Sequence, residues 1–224
     1  MPLVGGFSAG FAGANNIIIF IDGGYLRRNF KNLFSHEDIN YANLANFLIK
    51  HASTDHRFAS HLIRVYFYDG IANVKDIDIM KDESVEEILV KQIATTMIDE
   101  KEQKQEEYVQ KIRSLDLFDV RLGRLMLSTK GGSKNKENWS FRQKGVDSLV
   151  VLDMITKGFE GQYNTAILLA GDLDFIEIVN AVKHLGPNVV GAFFDKHINQ
   201  KLEDSFDKKI VLKKDTFVSN NLIG

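Results

Sequence analysis

Runs of apolar residues separated by helix-period stretches recur along the chain. Residues 17–21 (IIIFI) form an unbroken β-branched run that ends in Asp22-Gly23-Gly24. Residues 166–170 (AILLA) form a second, ending in Gly171-Asp172-Leu173-Asp174, and residues 189–194 a third, ending in Asp195-Lys196. Continuous apolar runs of this length predict strands buried on both faces of a parallel sheet. Residues 62–68 alternate well enough for a further strand, closed by Asp69-Gly70. After Asp174 the spacing of Phe175, Ile178, Val179, Val182 and Leu185 predicts an amphipathic helix stopped by Gly186-Pro187. A helix is expected over 25–33, another capped by Asn40 and running to about His51, and another from Gly145-Val146-Asp147 to near Gly158. Strand alternating with helix predicts an α/β domain of three layers around a mainly parallel sheet.

Between these units the pattern changes. Residues 82–115 carry apolar positions at roughly helical spacing, but residues 100–107 are polar all round. This predicts a solvated helix, or two helices with a break. Residues 117–142 read as a hairpin: a strand over 118–127, a Gly/Ser/Asn/Lys turn at 130–138, and a return over 139–141. The Gly/Ala-rich residues 1–15 are expected to be a flexible arm, 16–212 the folded domain, and 213–224 a C-terminal tail with an edge strand just before it.

Composition narrows the partners. The 224 residues carry a net charge of −2 and are 44% hydrophobic, so there is core material but no global basic field. Nucleic acid could be held only by a local patch. There is no cysteine, which excludes disulfides, thiolate zinc and cysteine nucleophiles and suits the reducing cytoplasm. No segment is apolar for long enough to span a membrane. The amphipathic residues 82–115 offer a surface for a second copy or a partner.

The chemistry sits on acids. Asp22, Asp172 and Asp174 follow strands, and Asp147 opens a helix. Ligands bind parallel α/β sheets at the carboxyl ends of their strands. Each of these acids could instead be ordinary turn or capping chemistry. Grouped carboxylates repel one another, by roughly 4 kcal/mol for a pair about 4 Å apart at an effective dielectric of 20. A hard divalent cation such as Mg²⁺ or Mn²⁺ would relieve that repulsion. Asp153 is six residues beyond Asp147 and could simply pair with Lys157. Asp69 reads as a turn residue. Just before Asp147, Lys130, Lys134, Lys136, Trp139, Arg142 and Lys144 combine cations for phosphates with an aromatic ring for a base.

Three motifs in this order, Phe20-Ile-Asp-Gly-Gly-Tyr-Leu26, Gln143-Lys-Gly-Val-Asp147 with Leu152-Asp153, and Ala170-Gly-Asp-Leu-Asp-Phe175, resemble the NYN domain family, a PIN-like family, and its LabA branch in particular. The resemblance runs from about residue 17 to 194. It implies a PIN-like, Rossmannoid sheet and a metal-dependent endoribonuclease acting on single-stranded or structured RNA. Asp22, Asp147, Asp172 and Asp174 fall on the family's acidic positions as catalytic and metal-binding residues. Lys134, Lys136, Trp139, Arg142 and Lys144 are the expected RNA contacts. Tyr25 stands where many members have Asn, and Leu173 replaces a common Ser. The alternative from another class is an RNA-binding module that keeps the acidic pocket without catalysis. A haloacid-dehalogenase-type phosphatase is disfavoured, because it needs an acid two residues after its nucleophile and Gly24 stands there.

Overall fold

Six parallel strands and one antiparallel strand make a single sheet in the order β4-β3-β2-β1-β5-β6-β7. The computed structural model describes residues 14–53, 59–77, 85–129, 139–195 and 197–224. The strands are β1 (Ala14–Asp22), β2 (Ala59–Ile77), β3 (Phe118–Thr129), β4 (Trp139–Lys144), β5 (Thr165–Leu169), β6 (Asn188–Phe194) and β7 (Lys208–Leu212). The helices are α1 (Gly23–Leu33), α2 (Tyr41–Ala52), α3 (Val85–Arg113), α4 (Val146–Phe159), α5 (Ile176–Leu185), α6 (Gln200–Ser205) and α7 (Lys214–Ser219). A short 3₁₀ turn, Leu173–Phe175, leads into α5.

β1 is the centre of the fold. Its residues 17–21 are at most 1% exposed. Ile17 to Ile21 pair with Thr165 to Leu169 of β5 on one side, and Ile18 to Asp22 pair with Arg64 to Tyr68 of β2 on the other. A residue flanked by paired strands and covered on both faces leaves no place for a polar side chain, hence the five-residue apolar run. The chain winds outward from β1 through β2 to β3, then restarts on the other side at β5 and winds through β6 to β7. The crevice where the winding reverses lies between the carboxyl ends of β1 and β5, the place where open α/β sheets bind ligands.

Helices cover both faces. On one face Tyr41 of α2 packs edge-on against Phe67 of β2 and against Tyr108 of α3, while Phe30 of α1 meets Phe217 of α7. On the other, α4 and α5 pack together, and the Tyr163 hydroxyl after α4 donates to the Met154 carbonyl at 2.6 Å. Phe20 and Tyr66 fill the space beneath them.

Three elements differ in extent from their sequence pattern. β2 does not stop at Asp69-Gly70 but continues to Ile77, pairing with β3 through Asp69, Gly70 and Ile71. Residues 85–113 form one helix with no break. Residues 213–224 are packed rather than trailing: Phe217 and Leu222 are fully buried, and Ile223 bridges to Ile39. Residues 14 and 15 belong to β1, and the rest of the expected arm, 1–13, lies outside the described residues. Among the described residues no helix is long and apolar enough to cross a membrane.

Candidate active site

Asp22 is the last residue of β1 and the N-cap of α1. Its Oδ1 accepts from the Tyr25 backbone N–H at 2.9 Å. This placement follows from the sequence: an apolar strand must end before a helix, and aspartate satisfies the orphan N–H groups of the first turn. The next residue has to be glycine. A Cβ on Gly23 would stand 2.5 Å from the Phe67 ring and 2.7 Å from the Tyr68 carbonyl.

Asp22 is 9% exposed. Burial pushes its carboxyl up to about 6, against the pull of the Tyr25 and Gly24 N–H groups. The charges of Asp147 and Asp69 push in the same direction as burial. Asp147 lies in the first turn of α4, whose N-cap Gly145 has φ +81. Its carboxyl is also raised, first by desolvation and then by Asp172 and Asp174. Asp172 caps the 3₁₀ turn after β5, accepting from the Asp174 N–H at 3.2 Å. Both Asp172 and Asp174 are exposed.

The chain therefore brings acids from β1, α4 and the β5 turn within electrostatic reach of one another, Asp147 being the link. It does not close them into a ligand shell: among the described residues no group of three or more His, Asp or Glu side chains could hold a metal ion as they stand. Asp22 and Asp172 each spend an oxygen on a backbone N–H of their own turn.

Tyr25 accounts for one departure from the sequence pattern. Its hydroxyl donates to the His197 carbonyl at 2.8 Å and accepts from the Phe194 N–H at 3.1 Å. The ring lies against Gly171, where a Cβ would meet it at 2.3 Å. The side chain thus ties the Asp22 turn to the end of β6 and supports the backbone beside Asp172.

Two further acids have structural roles. Asp153 accepts from the Tyr68 hydroxyl at 2.9 Å and from Lys157 at 3.0 Å, the i+4 pairing its spacing allowed. Asp69 is not a turn residue. It is buried inside β2, where its Oδ1 accepts from the Gly70 N–H at 2.8 Å, from Gln143 at 2.8 Å and from Arg27 at 2.6 Å.

Of the expected RNA contacts, Lys134 and Lys136 lie outside the described residues. Trp139 and Arg142 are placed only by register, opposite Thr129 and Met126 in the β3–β4 hairpin. Lys144 is exposed and stands opposite Arg124. A different basic group is in view. A cavity of about 540 Å³ opens beside Gly24 and is lined by Arg27, Arg28, Lys31, Lys101, Gln105, Leu125 and Gln143. A readable signal lay inside the polar stretch. Lys101, Gln105, Tyr108 and Ile112 fall at helical spacing, and along that one face the residues turn from charged to apolar.

The sequence model of the NYN domain family matches residues 16–213. The chain belongs to the NYN domain family. This is a PIN-like family of nucleases, and the match takes in the whole sheet apart from the first two residues of β1. Among solved structures, a protein of unknown function from Vibrio parahaemolyticus is similar, at 16% identity with a TM-score of 0.55, over 91% of this chain and 96% of that one. At that identity the likeness concerns the fold. No curated protein matches the sequence significantly.

Proposed function

We propose that this NYN domain is a divalent-cation-dependent endoribonuclease that hydrolyses RNA phosphodiesters at the edge formed by Asp22, Asp147, Asp172 and Asp174. The observation that carries the reading is the gathering of these acids where β1 and β5 end and α4 begins, at the switch point of the sheet. Desolvation raises both Asp22 and Asp147 first, and the neighbouring charges add to it, Asp147 at Asp22 and Asp172 with Asp174 at Asp147. Like charges gathered beside a buried carboxylate carry a cost, so a counter-charge is the natural complement.

The donor set fits a hard cation. It offers carboxylate oxygens alone, and Mg²⁺ needs only one or two carboxylates because it keeps several waters. Asp22 and Asp147 are the residues that would hold it, with Asp172 and Asp174 flanking. A bound Mg²⁺ or Mn²⁺ supplies an activated water and neutralises charge on the phosphate. The chain's own contribution is position. The Tyr25 N–H fixes the Asp22 carboxylate, the Tyr25 hydroxyl fixes the backbone on the far side of the crevice, and burial makes Asp22 a readier proton acceptor than a surface aspartate. A cysteine-free chain suits work in the cytoplasm.

The test is incubation of labelled RNA with the purified protein in Mn²⁺, in Mg²⁺ and in chelator, beside Asp22→Asn. Internal cleavage that needs the metal and is lost in the variant is the expected result. Metal-independent cleavage would sink the proposal. So would binding without cleavage in every metal, which would point to the non-catalytic RNA-binding alternative.

A further inference from the structure

The basic cavity beside Gly24 is not used by the chemistry of the acidic edge. Four cations reach it: Arg27, Arg28 and Lys31 from α1, and Lys101 from α3. Asp69 offsets one of them through Arg27. Arg28 and Lys31 are exposed and make no ion pair among the described residues. Lys101 is exposed at its surface, yet partial desolvation, and next the charges of Arg27 and Lys31, hold its ammonium below the ordinary lysine value. The cavity thus carries an excess of positive charge at close quarters, the opposite of the acidic edge that begins two residues away at Asp22.

Its walls are built. Gln105 is 5% exposed, and its side-chain amide donates to the Gly70 carbonyl at 2.6 Å, which pins α3 to β2. Gln143 lies across Gly24, where a Cβ would meet its Oε1 at 2.5 Å, and donates to Asp69. Arg27 is held by Asp69 and lies 4.9 Å above the Tyr108 ring. Among the described lining residues there is no carboxylate and no aromatic ring, and Leu125 is the one large apolar side chain. Such a surface offers charge and N–H donors but no stacking platform, so it suits phosphate groups rather than bases.

We propose that the cavity between α1 and α3 seats phosphates of the RNA strand next to the bond that is cut. The substrate's backbone would then be held by α1, α3 and β4 rather than by the β3–β4 turn alone. This rests on the ribonuclease reading for its substrate class. It goes beyond that reading in assigning α3 a binding role and in making the recognition independent of base sequence. Charge complementarity supports it: a polyanion crossing the cavity neutralises the cation excess and arrives directly at Asp22.

The experiment separates this from the nuclease reading by measuring binding in chelator, on the Asp22→Asn background, so that nothing is cut. Affinity for a fluorescent single-stranded oligoribonucleotide is titrated against salt for that protein, for Arg28→Ala/Lys31→Ala and for Lys101→Ala. The oligoribonucleotide carries a 5′-phosphate or a 5′-hydroxyl in parallel arms, with inorganic phosphate as competitor. The expected result is at least a tenfold loss at low salt in the double variant. Its salt slope should be flatter by roughly 0.7 for each phosphate that the variant no longer neutralises. Loss in either arm sustains the proposal: confined to the 5′-phosphate arm it assigns the cavity to the strand terminus, and equal in both arms to internal phosphates. Unchanged affinity and slope in both variants, with circular dichroism spectra intact, would overturn the proposal whether or not the wild-type protein cuts RNA. Loss of binding in the variants would sustain it even if no metal supports cleavage.

Discussion

Nη2 of Arg27 lies 2.6 Å from each of the two carboxylate oxygens of Asp69. Asp69 is almost completely buried and Arg27 is 28% exposed at its side chain, so the pair stands at the boundary between the core and the basic cavity. Removing the arginine would leave a buried carboxylate with two neutral donors. Arg27→Ala is expected to destabilise the chain by about 3 kcal/mol, the lower end of the range for breaking a buried pair, because one partner reaches water. Urea denaturation checks this. A change below about 0.5 kcal/mol would show that Gly70 and Gln143 alone satisfy the carboxylate.

Asp22 gives a pH dependence with a definite sign. Its carboxyl titrates at about 6 in the folded chain against an ordinary value of 3.8. The folded state holds the proton more tightly, so the favourable contribution is complete below about pH 4 and is lost as pH rises through 6. At neutral pH the ionised carboxylate therefore costs stability, by up to about 3 kcal/mol for a shift of two units. Asp22→Asn, which keeps the helix cap, should melt higher than wild type at pH 7.5 and equally at pH 4. Melting curves across that interval decide it, and a variant less stable at pH 7.5 would refute it.

The same repulsion predicts a metal response. Mg²⁺ or Mn²⁺ should raise the melting temperature of the wild-type chain, since a ligand of the native state alone shifts folding by mass action, by about 2.7 kcal/mol at a hundredfold excess over Kd. Asp172→Asn should shrink the shift and Asp22→Asn should shrink it further. Equal shifts in all three proteins would place the cation elsewhere.

Gly171 separates Ala170 from Asp172, and a Cβ there would lie 2.3 Å from the Tyr25 ring and 2.7 Å from the His197 carbonyl. The carbonyl cannot move aside as a flexible side chain could. Gly171→Ala is expected to cost about 1–3 kcal/mol, as overpacking does, and to lower cleavage by more than its stability loss explains. Pairing it with Tyr25→Phe, which keeps the ring and removes both hydroxyl bonds, separates the crowding from the latch. Unchanged melting in Gly171→Ala would contradict the close approach.

The parallel sheet was legible because burial on both faces forces uninterrupted apolar runs, and residues 17–21 could hardly be anything else. The placement of Asp22, Asp147, Asp172 and Asp174 was legible for a related reason, since strands stop or a helix begins there. Asp69 was not. An Asp-Gly pair has the composition of a turn, and only the register of β2 against β3 shows it inside a strand with Arg27 and Gln143 around it. Gln105 was masked in the same way, its helical spacing with Tyr108 and Ile112 being the one sign of an inward face. A polar stretch reads as solvated unless its neighbours are known, and the partner of Gln105 is Gly70 of β2, 35 residues away in sequence.

The Tyr25 hydroxyl, bonded at once to the backbone of Phe194 and of His197, makes a fixed jaw of the sheet's carboxyl edge. The turns after β1 and β6 are braced to one another, and the β5 turn is wedged between them. For an RNA strand held along that edge as proposed, the Asp22 and Asp172 turns are set by this brace, so a strand kinked at the right step fits them with less rearrangement than one that resists bending.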